Sequence, residues 1–171
     1  MDLQRILAAV ALALYVPLLW GCRAQRPAEP EKLQFLVSID NQASDEVFGL
    51  HFEYCVDRVN LGGQIVCRDP EMTSPLPGNE TVDASFQERD FMGSAPLSQV
   101  RFGIFVSVLR ADGGEIPIEF FWEWDAAVGK TYRFTLTGSA GSGYTLTPEE
   151  SGTEYTVTPW SELPEDAITS T

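Results

Sequence analysis

The chain has 171 residues, a formal net charge of -14 and three cysteines. An acidic surface of this kind repels phosphates, which argues against nucleic acid as a partner, and it gains nothing from anionic headgroups, so attachment to a membrane needs a lipid and not a basic patch. Nothing in the composition calls for a cofactor.

The first segment is a leader. Arg5 precedes a charge-free apolar run over residues 6–20, and Gly21 follows it. A basic end, an apolar core and a small residue at the cut are the layout of a secretory signal. The run is short of the ~20 residues a spanning helix needs. Its end, Leu19-Trp20-Gly21-Cys22, resembles the lipobox of bacterial lipoprotein precursors. That resemblance covers only the leader. It implies cleavage before Cys22, a diacylglycerol on the Cys22 thiol, and a lipid-anchored location. Arg23 follows Cys22 where Asp typically retains such proteins at the inner membrane. The expected location is therefore the outer membrane if two membranes exist, and otherwise the outer face of the cytoplasmic membrane. The domain reading is a signal peptide over 1–21, a flexible tether over 22–32, a β-sandwich over 33–160 and a loose acidic tail over 161–171. Removing the leader leaves about 150 residues, a size suited to one domain.

Beyond the tether, residues 33–40 alternate, with Leu33, Phe35, Val37 and Ile39 on one side, as in a half-buried strand. Residues 46–57 make a second, with Phe48, Leu50, Phe52, Tyr54 and Val56 inward. A three-residue loop Asn60-Leu61-Gly62, with Gly62 left-handed, would place Cys55 directly opposite Cys67. With Cys22 acylated, these two thiols are left as a pair in an oxidising compartment. The expectation is a Cys55–Cys67 disulfide.

Residues 69–98 read mostly as loop, with a strand over 81–86. The strongest pattern flanks Asp112-Gly113-Gly114. Taken as the loop, those three residues pair Val108 with Ile118, Val106 with Phe120, Ile104 with Trp122 and Phe102 with Trp124 on an inner face. The outer face then pairs Leu109 with Pro117, Phe105 with Phe121, Gly103 with Glu123 and Arg101 with Asp125. A polar residue is expected to be severe at Phe120 and mild at Phe121. Alternating strands follow over 130–137, around Tyr144 and Leu146, and around Tyr155 and Val157. About eight short strands with turns every 8–12 residues predict an all-β, antiparallel, immunoglobulin-like sandwich, with barrel closure as the alternative.

The chemistry-bearing residues are sparse. His51 is the single histidine and reads as a surface residue. Glu119, Glu123 and Asp125 share a strand face, and paired carboxylates serve glycoside hydrolysis. A solvated sheet face accounts for them as well. Asp40, Asp45 and Glu46 flank one turn, and Asp112 and Glu115 another, but calcium needs about six to eight oxygens and no EF-hand spacing is present. Phe105 and Phe121, with Leu109, form an outward apolar patch. It is either a contact surface or is covered by a loop such as 69–98. These features predict a non-enzymatic binding or assembly module with an envelope protein or glycan partner. A carbohydrate-binding sandwich, or a small hydrolase using Glu119 and Glu123, is the alternative.

Overall fold

The computed structural model describes residues 34–91, 100–163 and 169–170. The leader and tether, including Cys22, lie outside the described residues. The described part falls within one unit, Leu33–Thr171.

Two sheets face each other. The first holds β1 (Gln34–Asn41), β4 (Thr81–Gln87), β8 (Thr131–Ser139) and β9 (Gly143–Pro148), in the order β4-β1-β8-β9. The second holds β2 (Gly49–Val56), β3 (Val59–Cys67), β5 (Val100–Leu109), β7 (Phe120–Ala126), β10 (Thr156–Pro159) and β11 (Thr169–Ser170). Its order is β10-β7-β5-β2-β3-β11, and β6 (Glu115–Pro117) also pairs with β5. This is an all-β sandwich and not a closed barrel. It departs from an all-antiparallel arrangement in two places: β1 runs parallel to β8, and β11 runs parallel to β3.

The alternation seen in the sequence sets the core. In β1, Phe35, Val37 and Ile39 are fully buried and lie opposite Phe86, Ala84 and Val82 of β4. Tyr132, Phe134 and Leu136 of β8 continue this layer. Leu50, Phe52, Phe102, Ile104, Trp122 and Trp124 face it from the second sheet. Phe35 meets Phe102 edge-on at 4.8 Å, and Trp124 lies 5.1 Å from Tyr132. Each such side chain contributes about 1.5–3 kcal/mol on burial, and the aromatic pairs add to that.

The β2–β3 hairpin differs from the expectation. Its turn is Asp57-Arg58, both with positive φ, at 49° and 64°, which closes a two-residue hairpin with Val56 opposite Val59. A bulge follows: Tyr54 faces Gly62 while Cys55 faces Asn60. Cys67 lies opposite Gly49. The two cysteines are thus at opposite ends of the hairpin, roughly 20 Å apart at a strand's rise per residue. A disulfide needs Cα atoms within about 7 Å. The expected bridge is therefore corrected: both thiols are free, Cys55 buried and Cys67 half-buried. The turn expected at Asn60-Leu61-Gly62 thus lies at Asp57-Arg58. At this turn the Asp57 amide donates to Arg101 O at 2.9 Å and the Arg58 guanidinium reaches the Glu123 carboxylate at 3.2 Å. Peptide mass spectrometry without reduction should find both thiols free. Cys67 should alkylate in the native protein and Cys55 only after unfolding.

The next hairpin turns one residue earlier than expected. The loop is Ala111-Asp112-Gly113, closed by the Arg110 amide donating to Gly114 O at 3.0 Å, with Gly113 at φ 76°. Val108 then faces Ile116, not Ile118. Ile118 and Glu119 form an irregular stretch between β6 and β7. There the Ile118 amide donates to Val106 O at 2.9 Å. Beyond that stretch the expected pairs return: Ile104 with Trp122, Phe102 with Trp124, Gly103 with Glu123 and Arg101 with Asp125.

Of the tail expected over 161–171, residues 161–163 and 169–170 are described and the rest lie outside the described residues. Trp160–Glu162 is a single 3-10 turn, anchored by the Trp160 amide donating to Glu119 O at 2.9 Å. Thr169 and Ser170 then pair with Val59 and Asn60 of β3.

Candidate functional site

Most of the residues singled out from the sequence lie on the outer face of the second sheet. Phe105 and Phe121 stack there at 4.4 Å, with Cys55 beside them. The expected contact patch is not open: Phe105, Phe121 and Leu109 are all buried. Among the described residues, the cover over the two phenylalanines comes from the C-terminal segment. Trp160 lies on Phe105 at 4.1 Å, and Leu163 packs against the same cluster. Trp160 and Leu163 are three residues apart, so one tight turn brings both to one side. An outward aromatic pair on a polar sheet face is costly to leave wet, and the chain supplies its own lid.

The carboxylates of this face do not converge. Glu123 is 3% exposed and accepts from Arg58 Nη2 at 3.2 Å and Nε at 3.4 Å. Asp125 is exposed, with Arg101 Nη1 3.5 Å away. Glu119 is exposed, and its backbone oxygen holds Trp160. Gly103 lies between Glu123 and Cys55 in the sheet, and the space above it is filled by the Phe121 ring and the Cys55 sulfur. Burial, followed by the nearby Glu123 charge, pushes the Cys55 thiol up to about 12. A thiol held protonated in this way is a poor nucleophile. The arrangement packs and orients; its ionic partners are already matched to each other.

His51 places Nδ1 3.2 Å from Glu115 Oε2 on the same face. The loop carboxylates divide between two places. Asp45, Glu46 and Asp112 come together around a cleft of about 290 Å³ with Arg110 and Tyr144, whereas Asp40 bonds Gln42 at 2.6 Å away from it. In the cleft, Asp45 accepts from Tyr144 Oη at 2.9 Å and from the Ala140 amide at 2.8 Å, and Asp112 accepts from the Gly114 amide at 3.0 Å. These oxygens therefore serve as turn and strand clamps. Burial, then the Asp45 bond and charge, raise the Tyr144 phenol to about 12, which keeps it a donor. Among the described residues no three His, Cys, Asp or Glu side chains are placed to share a metal.

A second cleft, of about 550 Å³, was not foreseen. Arg101, Asp125, Lys130, Tyr132, Ser151 and Glu154 are among the residues lining it. They come from four separate stretches of chain, so no sequence spacing marks it. Its lining carries both signs of charge, and Tyr132 is already engaged: its hydroxyl accepts from the Ala127 amide at 2.8 Å.

Fold and face together define a two-sheet β-sandwich whose outer apolar cluster is closed by its own C-terminal segment. The chain matches no protein-family model and no curated protein.

Proposed function

We propose that this chain is a lipid-anchored protein of the bacterial cell envelope, acylated on Cys22, whose β-sandwich serves as a binding or assembly module and not as an enzyme. The observation that carries the reading is Leu19-Trp20-Gly21-Cys22 at the end of a charge-free apolar run. The first strand begins at Gln34, which leaves a short polar stretch between the acylated cysteine and the fold. Among the described residues no helix is long and apolar enough to cross a membrane. The net charge of -14 offers anionic headgroups no attraction, so the lipid must supply the attachment.

The covered state of Phe105 and Phe121 weighs against a sugar-stacking role for that pair, because the faces a pyranose would use lie under Trp160 and Leu163. The Arg58 contact likewise commits Glu123 to an ion pair, so it is poorly placed to act with Glu119 in hydrolysis. The test is metabolic labelling of expressing cells with a palmitate analogue. The expected result is label on the wild-type chain and none on Cys22→Ser. An unlabelled wild-type chain would remove the assignment.

A further inference from the structure

The cleft around Arg101 and Lys130, of about 550 Å³, falls within the ~300–1,000 Å³ of small-molecule sites. Its charged groups sit on ordered backbone. Arg101 on β5 and Asp125 on β7 are direct cross-strand partners. Lys130 closes the β7–β8 turn, its amide donating to Ala127 O at 3.3 Å. Glu154 lies in the β9–β10 connection, where the Ser151 hydroxyl donates to Thr153 Oγ1 at 3.2 Å.

Opposite charges lining one cleft tend to close on each other. Here only Arg101 and Asp125 do so, and loosely, at 3.5 Å. Arg101 also donates from Nη2 to the Thr156 hydroxyl at 2.7 Å. Among the described residues neither Lys130 nor Glu154 has an ion-pair partner. For Lys130 this stands out, because the chain carries 25 acidic residues against 11 basic ones. Lys130 and Glu154 thus line the same space without meeting. The charges of Arg101, Lys130, Asp125 and Glu154 sum to zero, so the cleft disfavours a plain anion and a plain cation alike. The aromatic residue of the lining, Tyr132, is 4% exposed and has no open ring face for a sugar to stack on.

We propose that this cleft binds a short zwitterionic peptide, its carboxylate taken by Lys130 and Arg101 and its ammonium by Glu154 and Asp125. Such a ligand gives each unpartnered charge its opposite within one concave site. The Ser151 and Thr131 hydroxyls of the lining are then left to the peptide amides. A ligand of about two or three residues suits the volume, whereas a single amino acid would leave most of the space to water. This ligand class presupposes the binding-module reading but not acylation of Cys22, so palmitate labelling and peptide binding succeed or fail separately.

The test is isothermal titration calorimetry of the full-length chain, purified in detergent, with trialanine at low salt. Two blocked peptides accompany it: N-acetyl-trialanine lacks the ammonium, and trialanine amide lacks the carboxylate. Trialanine should bind, and each blocked form should bind about fivefold more weakly, the size of a partly exposed ion pair. Lys130→Gln should weaken trialanine binding about fivefold and narrow the gap between trialanine and its amide. Glu154→Gln should weaken it likewise and narrow the gap to the N-acetyl form instead. Both side chains are exposed, so neither change disturbs the core, and an unchanged denaturation midpoint checks this. A wild-type chain that does not bind trialanine at millimolar concentration would overturn the proposal. So would equal binding of the blocked peptides, or trialanine binding that both variants leave unchanged.

Discussion

Phe121→Ser is expected to lower the stability of the sandwich by about 3–5 kcal/mol, the range for removing a fully buried aromatic ring, with a further cost for the stranded hydroxyl. Phe121 has no exposed surface, stacks on Phe105 at 4.4 Å and lies under the turn that begins at Trp160. Its loss opens a cavity and also unseats the cover, because Trp160 and Leu163 pack on the same cluster. Phe120→Ser is expected to cost clearly less, since Phe120 is only half-buried beside the main core. Urea denaturation followed by tryptophan fluorescence measures both. Equal midpoints, or a lower midpoint for Phe120→Ser, would mean that the C-terminal segment does not cover this face.

The second large effect is expected at Gly103. A side chain there would run into the Phe121 ring and would meet the Cys55 sulfur at 2.8 Å. Both neighbours are buried and cannot swing into solvent. Gly103→Val should therefore cost about 3 kcal/mol or more, the upper range for overpacking. The cost should be strongly coupled to the ring. In Gly103→Val with Phe121→Ala, the removed phenyl leaves room for the isopropyl group, so the double variant should be more stable than the sum of the two losses predicts. Additive losses in that cycle would show that the two residues do not share the space.

The order in which the sequence yielded its information follows from the physics. Period-two alternation reports which side of a strand is wet, and it identified the inward rows of β1, β8 and the β5–β7 pair correctly. Turn positions were less legible. At 111–113 the loop was read one residue late, yet the faces survived, because a three-residue loop placed one residue earlier shifts the pairing by two. An even shift keeps every side chain on its side of the sheet. The two-residue irregularity at Ile118 and Glu119 then restored the original partners. At Asp57-Arg58 the turn carries two positive φ angles without a glycine. No local rule reads that, and the expected disulfide fell with it. The outward Phe105–Phe121 pair was legible as something requiring an explanation. Its cover was not, because Trp160 and Leu163 lie in a stretch with no strand alternation. The polar cleft around Arg101 and Lys130 left no mark in the sequence at all.

The anchor is the central claim, and membrane fractionation tests it most directly. Two versions of the chain are compared, each with an ordinary cleavable leader in place of residues 1–21 as a parallel arm, so that failure to process an unmodified lipobox is not mistaken for anchoring. With its own leader and Cys22 intact, the chain should sediment with membranes and resist a high-salt wash, since two or three acyl chains at about 0.8 kcal/mol per buried CH₂ hold far more firmly than any headgroup contact. With the ordinary leader and Cys22→Ser, it should appear in the soluble fraction with an unchanged denaturation midpoint, because Cys22 lies ahead of the first strand. Membrane retention of that second form at high salt would contradict the account.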